Sequence, residues 1–186
     1  DDRFFHCNLL LSNNGLVLIK NNKFGKWDSN FFNKIYLRSN SLFHLDSNQF
    51  LGIDHGYMQD GTIYIEDDSS QVWITNNTTN AHCDFELKNY MYETIRDYDF
   101  VIEGNNFKGD GDDRINFYGS VDPGWGSDSS GKFLIKNNVI DSATVYIKGA
   151  KKALVQGNTC KNTTDNDPDG GGMYIYNSNA VVENNT

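Results

Sequence analysis

Two adjacent carboxylates in the middle of the chain have a spacing suited to acid–base chemistry. They are Asp112 and Asp113, followed by Arg114, at the start of an apparent strand. Glycoside hydrolysis needs such a pair, since one carboxyl protonates the leaving oxygen while the other activates water. For a hydrolase, the sequence therefore predicts a catalytic group of Asp112, Asp113 and Arg114.

Basic residues in the same region leave a second chemistry open. A polysaccharide lyase needs a cation, often Ca²⁺, to neutralise the uronate carboxylate, and a basic side chain to remove the α-proton. Arg114, Lys88 and Lys148 are candidates for that base. The residues do not decide between hydrolysis and elimination.

Acidic residues precede several of the strand patterns, and we expect them in loops that enter one sheet. The set is Asp60, Asp84, Asp110, Asp112, Asp113, Asp141, Asp165, Asp167 and Asp169. The last three are followed by Gly170 with the D-x-D-x-D-G spacing that places oxygen ligands around Ca²⁺. Tyr176 stands where an EF-hand has its twelfth-position Glu, so the segment is either another Ca²⁺ site or a solvated acidic turn.

Aromatic and basic residues alternate with apolar ones along the same strands and are expected on their outer face. Tyrosines there could stack on sugar rings and hydrogen-bond to their hydroxyls, and Trp125 on a Gly/Ser-rich loop could add a clamp. High strand propensity of Tyr would explain the pattern equally well. The predicted substrate-binding residues are Tyr64, Lys88, Tyr118, Trp125, Tyr146, Lys148, Tyr174 and Tyr176.

Two recurring phrases define the elements that must position these residues. One alternates with period two and predicts strands, as in Ile63-Tyr-Ile65, Phe85-Glu-Leu87, Ile115-Asn-Phe117, Val145-Tyr-Ile147 and Met173-Tyr-Ile175. The other is an apolar residue, two variable residues and Asn, and it recurs at variable spacing with Asn22, Asn40, Asn77, Asn105, Asn138, Asn158 and Asn185. Recurrence of this kind is typical of a solenoid with loops of variable length.

Each repeat is thus predicted to consist of two short strands, an Asn corner and a third strand. Copies that pair in parallel one turn later form a right-handed parallel β-helix, an all-β solenoid with an asparagine ladder and variable loops. Asn suits the corner because it tolerates left-handed backbone angles. Its amide can also donate and accept hydrogen bonds along a stacked column.

The stretch from Gly170 to Thr186 resembles the repeat of right-handed parallel β-helix proteins of the pectate-lyase-like superfamily. This superfamily includes polysaccharide lyases, glycoside hydrolases, epimerases, phage tailspikes and adhesins, so the resemblance implies a fold more than an activity. Asp112 and Asp113 resemble the Asp-Asp motif of polygalacturonase-type hydrolases, and Asp84 stands roughly where that family has its third Asp, so the resemblance implies that Asp84 assists. The next repeat lacks the His of that family. The resemblance implies that a glycan binds along the sheet formed by the first strand of each repeat. It is also compatible with a homotrimer of this chain, as in tailspikes.

Length and charge narrow the remaining choices. The 186 residues are predicted to form one domain, less regular over 1–59 and clearly repetitive over 60–186, as a segment of a longer chain with flanking domains. A net charge of −9 argues against nucleic acid as a partner. No apolar run approaches the roughly 18 residues of a membrane span. We expect a polysaccharide-engaging protein, extracellular, at a cell surface or in a virion; the alternative is a non-catalytic structural or adhesive solenoid.

Overall fold

In the part of the chain that the structure describes, the regular structure consists of β-strands, most of them short. The computed structural model describes residues 3–5, 8–12, 15–25, 33–38, 42–51, 63–67, 71–79, 85–89, 97–118, 131–162 and 172–186. In chain order the strands are β1 (Arg3–Phe5), β2 (Asn8–Ser12), β3 (Leu16–Lys20), β4 (Lys23–Gly25), β5 (Asn33–Arg38), β6 (Leu42–Asp46), β7 (Gln49–Leu51), β8 (Ile63–Asp67), β9 (Gln71–Thr75), β10 (Thr78–Thr79), β11 (Phe85–Asn89), β12 (Phe100–Glu103), β13 (Asn106–Tyr118), β14 (Lys132–Lys136), β15 (Val139–Lys148), β16 (Lys152–Gln156), β17 (Thr159–Lys161), β18 (Gly172–Tyr176) and β19 (Ala180–Glu183). In these ranges, no helix is long and apolar enough to span a membrane.

Over the same ranges the strands form two sheets, a larger one of twelve strands and a smaller one of seven. The chain passes through one or two strands of the larger sheet and then through one strand of the smaller sheet, again and again. Each strand pairs in parallel with its counterpart in the next repeat. The all-β class and the parallel pairing are therefore confirmed, and the arrangement is consistent with a parallel β-solenoid.

The alternating phrases of the sequence are strands of the larger sheet, in register with one another. Phe85 is paired with Ile63 and Ile115, and Val145 with Ile115 and Met173. Ile115 and Val145 are buried, and Met173 packs against the core. Because side chains alternate along a strand, the residues between these apolar ones lie on the outer face.

An asparagine column lies where the chain leaves the smaller sheet. From the second member onward, the side-chain oxygen of each member accepts two hydrogen bonds from the previous member, one from its backbone N–H and one from its Nδ2. The column consists of Asn22, Asn48, Asn77, Asn105, Asn138, Asn158 and Asn185. Its middle members are buried at 0–1% exposure. The ladder expected from the recurrent Asn is therefore present.

One member of the column differs from the prediction. Asn40 was expected, but the second position is occupied by Asn48, which is 26 residues from Asn22 and 29 from Asn77. The apolar residue preceding Asn40 is Leu37, which belongs to β5 of the larger sheet; Asn40 itself lies outside the described residues. The stretch from Leu45 to Asn48 fits the same phrase and follows β6 of the smaller sheet.

The left-handed corner residue is not the ladder asparagine, as was expected, but the residue before it. These preceding residues have φ between 55° and 67°: Asn21, Ser47, Asn76, Gly104, Asn137, Gly157 and Asn184. The prediction that one Asn does both was wrong, because the left-handed backbone and the ladder hydrogen bonds belong to two successive residues. One bends the chain, while the next turns its amide inward to form the ladder.

Four of the acidic residues expected in loops lie instead within strands, while Asp60, Asp84, Asp165, Asp167 and Asp169 lie outside the described residues. Asn106 of β13 pairs with Thr78 and Ile115 with Phe85, so this strand covers two strand positions without leaving extended conformation. Asp110, Asp112 and Asp113 therefore lie in β13, and Asp141 lies in β15. The change of direction occurs inside these strands, at a register shift between Lys108 and Asp113 in β13.

The core between the sheets is formed by columns of like side chains. Ile74, Ile102 and Ile135 are paired in succession and are at most 1% exposed. Phe100 and Phe133 stack with ring centroids 4.8 Å apart. Removing these faces from water is the main source of stability that the repeats share.

Candidate functional site

The register of the larger sheet brings most of the predicted binding residues together. They fall into two neighbouring columns on its outer face, which we call the outer columns. The first contains Tyr64, Glu86, Asn116, Tyr146 and Tyr174, and the second contains Glu66, Lys88, Tyr118, Lys148 and Tyr176. Neighbours within a column are one strand spacing, about 4.8 Å, apart. The outer columns therefore align positions occupied by aromatic, basic and acidic residues across five strands.

Aromatic contacts hold the described end of the outer columns together. The rings of Tyr146 and Tyr174 are 5.5 Å apart, and Tyr174 stacks on Tyr176 at 6.3 Å. The Nζ atom of Lys148 lies 4.8 Å from the centroid of the Tyr146 ring. A cation over an aromatic face is attracted by the ring quadrupole, which orients this lysine across the tyrosine cluster.

Exposure separates these tyrosines into two kinds. Tyr146 lies on the outer side of its strand, since Val145 and Ile147 belong to the core, yet it is only 3% exposed. Tyr174 is half-buried, and Tyr176 is 48% exposed. Tyr176 and Tyr174 can therefore offer a ring to a ligand. Tyr146 is buried and packs against the Tyr174 ring from the neighbouring strand.

The predicted catalytic residues are placed by their strand register. Arg114 pairs with Thr144, in the same alternation as the outer columns. Asp113 pairs with Ala143, whose side chain lies in the core. Asp112 lies in the irregular part of β13, and Asp84 lies outside the described residues.

The acidic side chain of Asp141 is part of a small polar cluster. It accepts a hydrogen bond from Nδ2 of Asn162 at 2.7 Å, and the Lys161 Nζ atom lies 3.3 Å from its other oxygen. Asn162 first, and Lys161 in addition, lower the pKa of Asp141. Asp141 is therefore a charged carboxylate at neutral pH, as a structural ion pair requires, and is not suited to act as a general acid.

Several predicted residues lie outside the described part of the chain. These are Trp125, the predicted clamp, and Asp165, Asp167 and Asp169, the predicted Ca²⁺ ligands. Among the described residues, no three His, Cys, Asp or Glu side chains come together to hold a metal ion.

A hydrogen-bonded chain on the outer face of the smaller sheet escaped the sequence analysis. Asp46, 6% exposed, forms an ion pair with Lys20 at 2.7 Å and accepts hydrogen bonds from Thr75 and Asn76. The Thr75 hydroxyl donates to Asp46, so it accepts from Nε2 of His44 at 2.7 Å. Lys20 is the main cause that holds the pKa of Asp46 well below its usual range. The bonded partners lie 26 to 31 positions apart, and strand register alone brings them together.

Comparison with known proteins adds no family to this description. No protein-family model, curated protein or solved structure matches the chain.

Proposed function

We propose that this chain is a right-handed parallel β-helix that engages a polysaccharide along the outer columns of the larger sheet. Right-handedness is the rule for crossovers between parallel strands. The observation that supports the binding role is the alignment in two adjacent columns of Tyr64, Lys88, Tyr118, Tyr146, Lys148, Tyr174 and Tyr176. An extended glycan laid along the columns would meet an aromatic or charged group at most strands.

The described end of the outer columns fits a sugar chain chemically. Tyr176 and Tyr174 offer ring faces on which the apolar side of a pyranose can stack, and their hydroxyls can bond to sugar hydroxyls. Lys148, held over Tyr146, offers a positive charge to an acidic sugar. Trp125 is proposed to close over the ligand from its loop. This end of the columns therefore offers stacking faces and one positive charge to a glycan, while the net charge of −9 disfavours an acidic glycan unless Ca²⁺ bridges it.

Cleavage of the glycan is a further part of this proposal. A hydrolase would use Asp112 and Asp113 with Arg114 and Asp84, whereas a lyase would use Arg114, Lys88 or Lys148 as base. Ca²⁺ at Asp165, Asp167 and Asp169 would neutralise substrate carboxylates in the second case. Titration calorimetry with CaCl₂ tests the ion separately, and no heat of binding below millimolar Ca²⁺ would remove it from the proposal.

One incubation distinguishes the two reactions. The protein is mixed with acidic and neutral polysaccharides, with and without Ca²⁺, and reducing ends and unsaturated-uronate absorbance are followed together. Reducing ends without the absorbance identify a hydrolase, and both signals identify a lyase. Binding without either signal would leave a glycan-binding protein that does not cleave.

A non-catalytic structural or adhesive solenoid is the competing function. The burial of Tyr146 and the ion pair of Asp141 favour it, because both show predicted site residues engaged in contacts within the fold itself. The double substitution Asp112→Asn and Asp113→Asn separates the two functions. Lost turnover with an unchanged melting temperature supports catalysis, whereas a much lower melting temperature assigns the acids to structure. An extracellular, cell-surface or virion location is proposed for either function.

A further inference from the structure

One asparagine of the outer columns has an amide that the fold does not use. Asn116 lies between the core residues Ile115 and Phe117, so its side chain is on the outer face of the larger sheet. It is half-buried, and within the part of the chain that the structure describes its amide has no hydrogen-bond partner. The middle position of the first column thus holds a donor and an acceptor that remain available.

The other asparagines show that Asn116 is an exception. Every other buried or half-buried asparagine whose side chain the structure describes donates a hydrogen bond through Nδ2, and these are Asn22, Asn48, Asn77, Asn105, Asn138, Asn158 and Asn185. Buried side-chain polar atoms in the described ranges all have partners. The fold therefore pairs the amides that it covers, and the amide of Asn116 is left for another partner.

The position of Asn116 in its strand does not account for it either. Asparagine is depleted in strands, yet Asn116 lies inside β13 and is paired with Glu86 of β11 and Tyr146 of β15. It does not form a corner, because it is not among the residues with positive φ. A residue that departs from a local preference without a structural gain is expected at a functional site.

We propose that Asn116 contacts the glycan directly and selects a sugar that carries two adjacent free hydroxyls. The inference rests on the proposed function, because it names what the outer columns recognise. In the amide, Oδ1 accepts and Nδ2 donates, and both atoms are attached to the same carbon. Two neighbouring hydroxyls of one sugar ring can bond to both atoms at once, since one hydroxyl donates while the other accepts. The amide is uncharged, so this contact does not require an acidic glycan.

The distance from Asn116 to the exposed tyrosines suits a single ligand. Asn116 and Tyr174 belong to the same column and are two strands apart, which is about 10 Å. Tyr174 is half-buried and stacks on the exposed Tyr176, so both rings are open to a ligand. A glycan that stacks on these rings and continues along the column passes over Asn116.

Affinity electrophoresis with native and O-acetylated xylan, galactan and polygalacturonate tests this contact. Acetyl esters block the adjacent hydroxyls on the second and third carbons of these sugars. For a polysaccharide that binds wild type, acetylation should weaken binding about ten- to hundredfold, as expected for the loss of two neutral hydrogen bonds. Asn116→Val should bind the native form weaker by a similar factor and lose little more on acetylation, because the same bonds are already missing. Lys148→Met, on the same face, should keep the full sensitivity to acetylation.

Thermal melts and a matched variant separate this role from a structural one. Asn116→Val should melt no lower than wild type, because the amide makes no bond in the fold and Val suits a strand. Asn106→Val should bind as wild type, since Asn106 is an exposed asparagine of β13 that pairs with Thr78, away from the outer columns. A much lower melting temperature of Asn116→Val, or wild-type binding that this variant retains or that acetylation does not weaken, overturns the role of Asn116 alone. Wild type that binds none of the polysaccharides overturns the proposed function as well.

Discussion

The side-chain oxygen of Asn105 accepts two hydrogen bonds from Asn77, one from the backbone N–H at 2.9 Å and one from Nδ2 at 3.0 Å. Asn105 in turn donates to Asn138 in the same two ways. One amide thus satisfies the backbone of the preceding repeat and depends on the following one. Within the described residues, no buried side-chain polar atom is left without a partner. The column therefore links each repeat to the next through a pair of hydrogen bonds.

Asn105→Ala should destabilise the protein strongly. The substitution leaves the N–H and the Nδ2 of Asn77 without their acceptor in a buried site, and each buried unsatisfied donor costs about 1–3 kcal/mol. We expect the free energy of unfolding in urea to fall by about 2–4 kcal/mol. Asn106→Ala is the control, because Asn106 is the next residue and is exposed. Equal losses for the two variants would show that the column does not stabilise the fold.

Gly104→Ala should be destabilising for two separable reasons. Gly104 has φ of 67°, where a residue with a Cβ is disfavoured by about 1–2 kcal/mol. A Cβ there would also lie 2.8 Å from Oδ1 of Asn76. Adding Asn76→Gly removes the steric part only, so the double variant should lose less stability than the sum of the two single variants. If chemical denaturation shows that the stability losses of the two single variants add up to that of the double variant, there is no steric contact between a Cβ at position 104 and Asn76.

The Asp46 cluster predicts a dependence of stability on acid pH. The pKa of Asp46 is lowered in the folded protein, so its contribution is complete above the unfolded value of about 3.9 and is lost as the pH falls below it. Asp46→Asn should reduce stability at pH 7 by about 1–3 kcal/mol, since Lys20 and Thr75 lose a charged acceptor. The difference from wild type should narrow from about pH 4 downward. If the difference in the free energy of unfolding between wild type and Asp46→Asn stays constant from pH 7 to pH 2, the ionised Asp46 carboxylate is not the source of the stabilisation.

Two tyrosines of the outer columns should respond differently to truncation. Tyr146 is 3% exposed, so Tyr146→Ala should lower the free energy of unfolding by about 2–4 kcal/mol. Tyr176 is 48% exposed, and Tyr176→Ala should change it by less than about 1 kcal/mol. Thermal melts of the two variants check this. A large loss for Tyr176→Ala would mean that this ring belongs to the structure and is not available to a ligand.

The repeat and its register could be predicted from the sequence because period-two alternation is a local signal. Ile115 and Val145 were expected in one column, and they are register partners. The error at Asn40 has a physical origin, since an apolar residue followed by Asn also occurs after strands of the larger sheet. Only pairing with the neighbouring repeats identifies Asn48 as the ladder member.

The burial and hydrogen bonding of residues at the candidate site could not be predicted, because they depend on contacts between repeats. The alternation placed Tyr146 on the outer side, but its burial depends on Tyr174 and Lys148, which come from strand pairing and ring packing. The chain from His44 through Thr75 to Asp46 had no motif, because its members are brought together by register over about 30 residues. Period-two alternation gives the face of a strand on which a residue lies, whereas its burial and hydrogen-bond partners depend on strand pairing between distant parts of the chain.

Affinity electrophoresis in gels that contain acidic or neutral polysaccharides tests the proposed function most directly. Wild type should be retarded by at least one of the polysaccharides. Tyr176→Ala should migrate nearly as in a gel without polysaccharide, and Trp73→Ala on the smaller sheet should be retarded like wild type. Wild type that is retarded by none of the polysaccharides, or retardation that Trp73→Ala abolishes and Tyr176→Ala leaves intact, would contradict glycan binding along the outer columns.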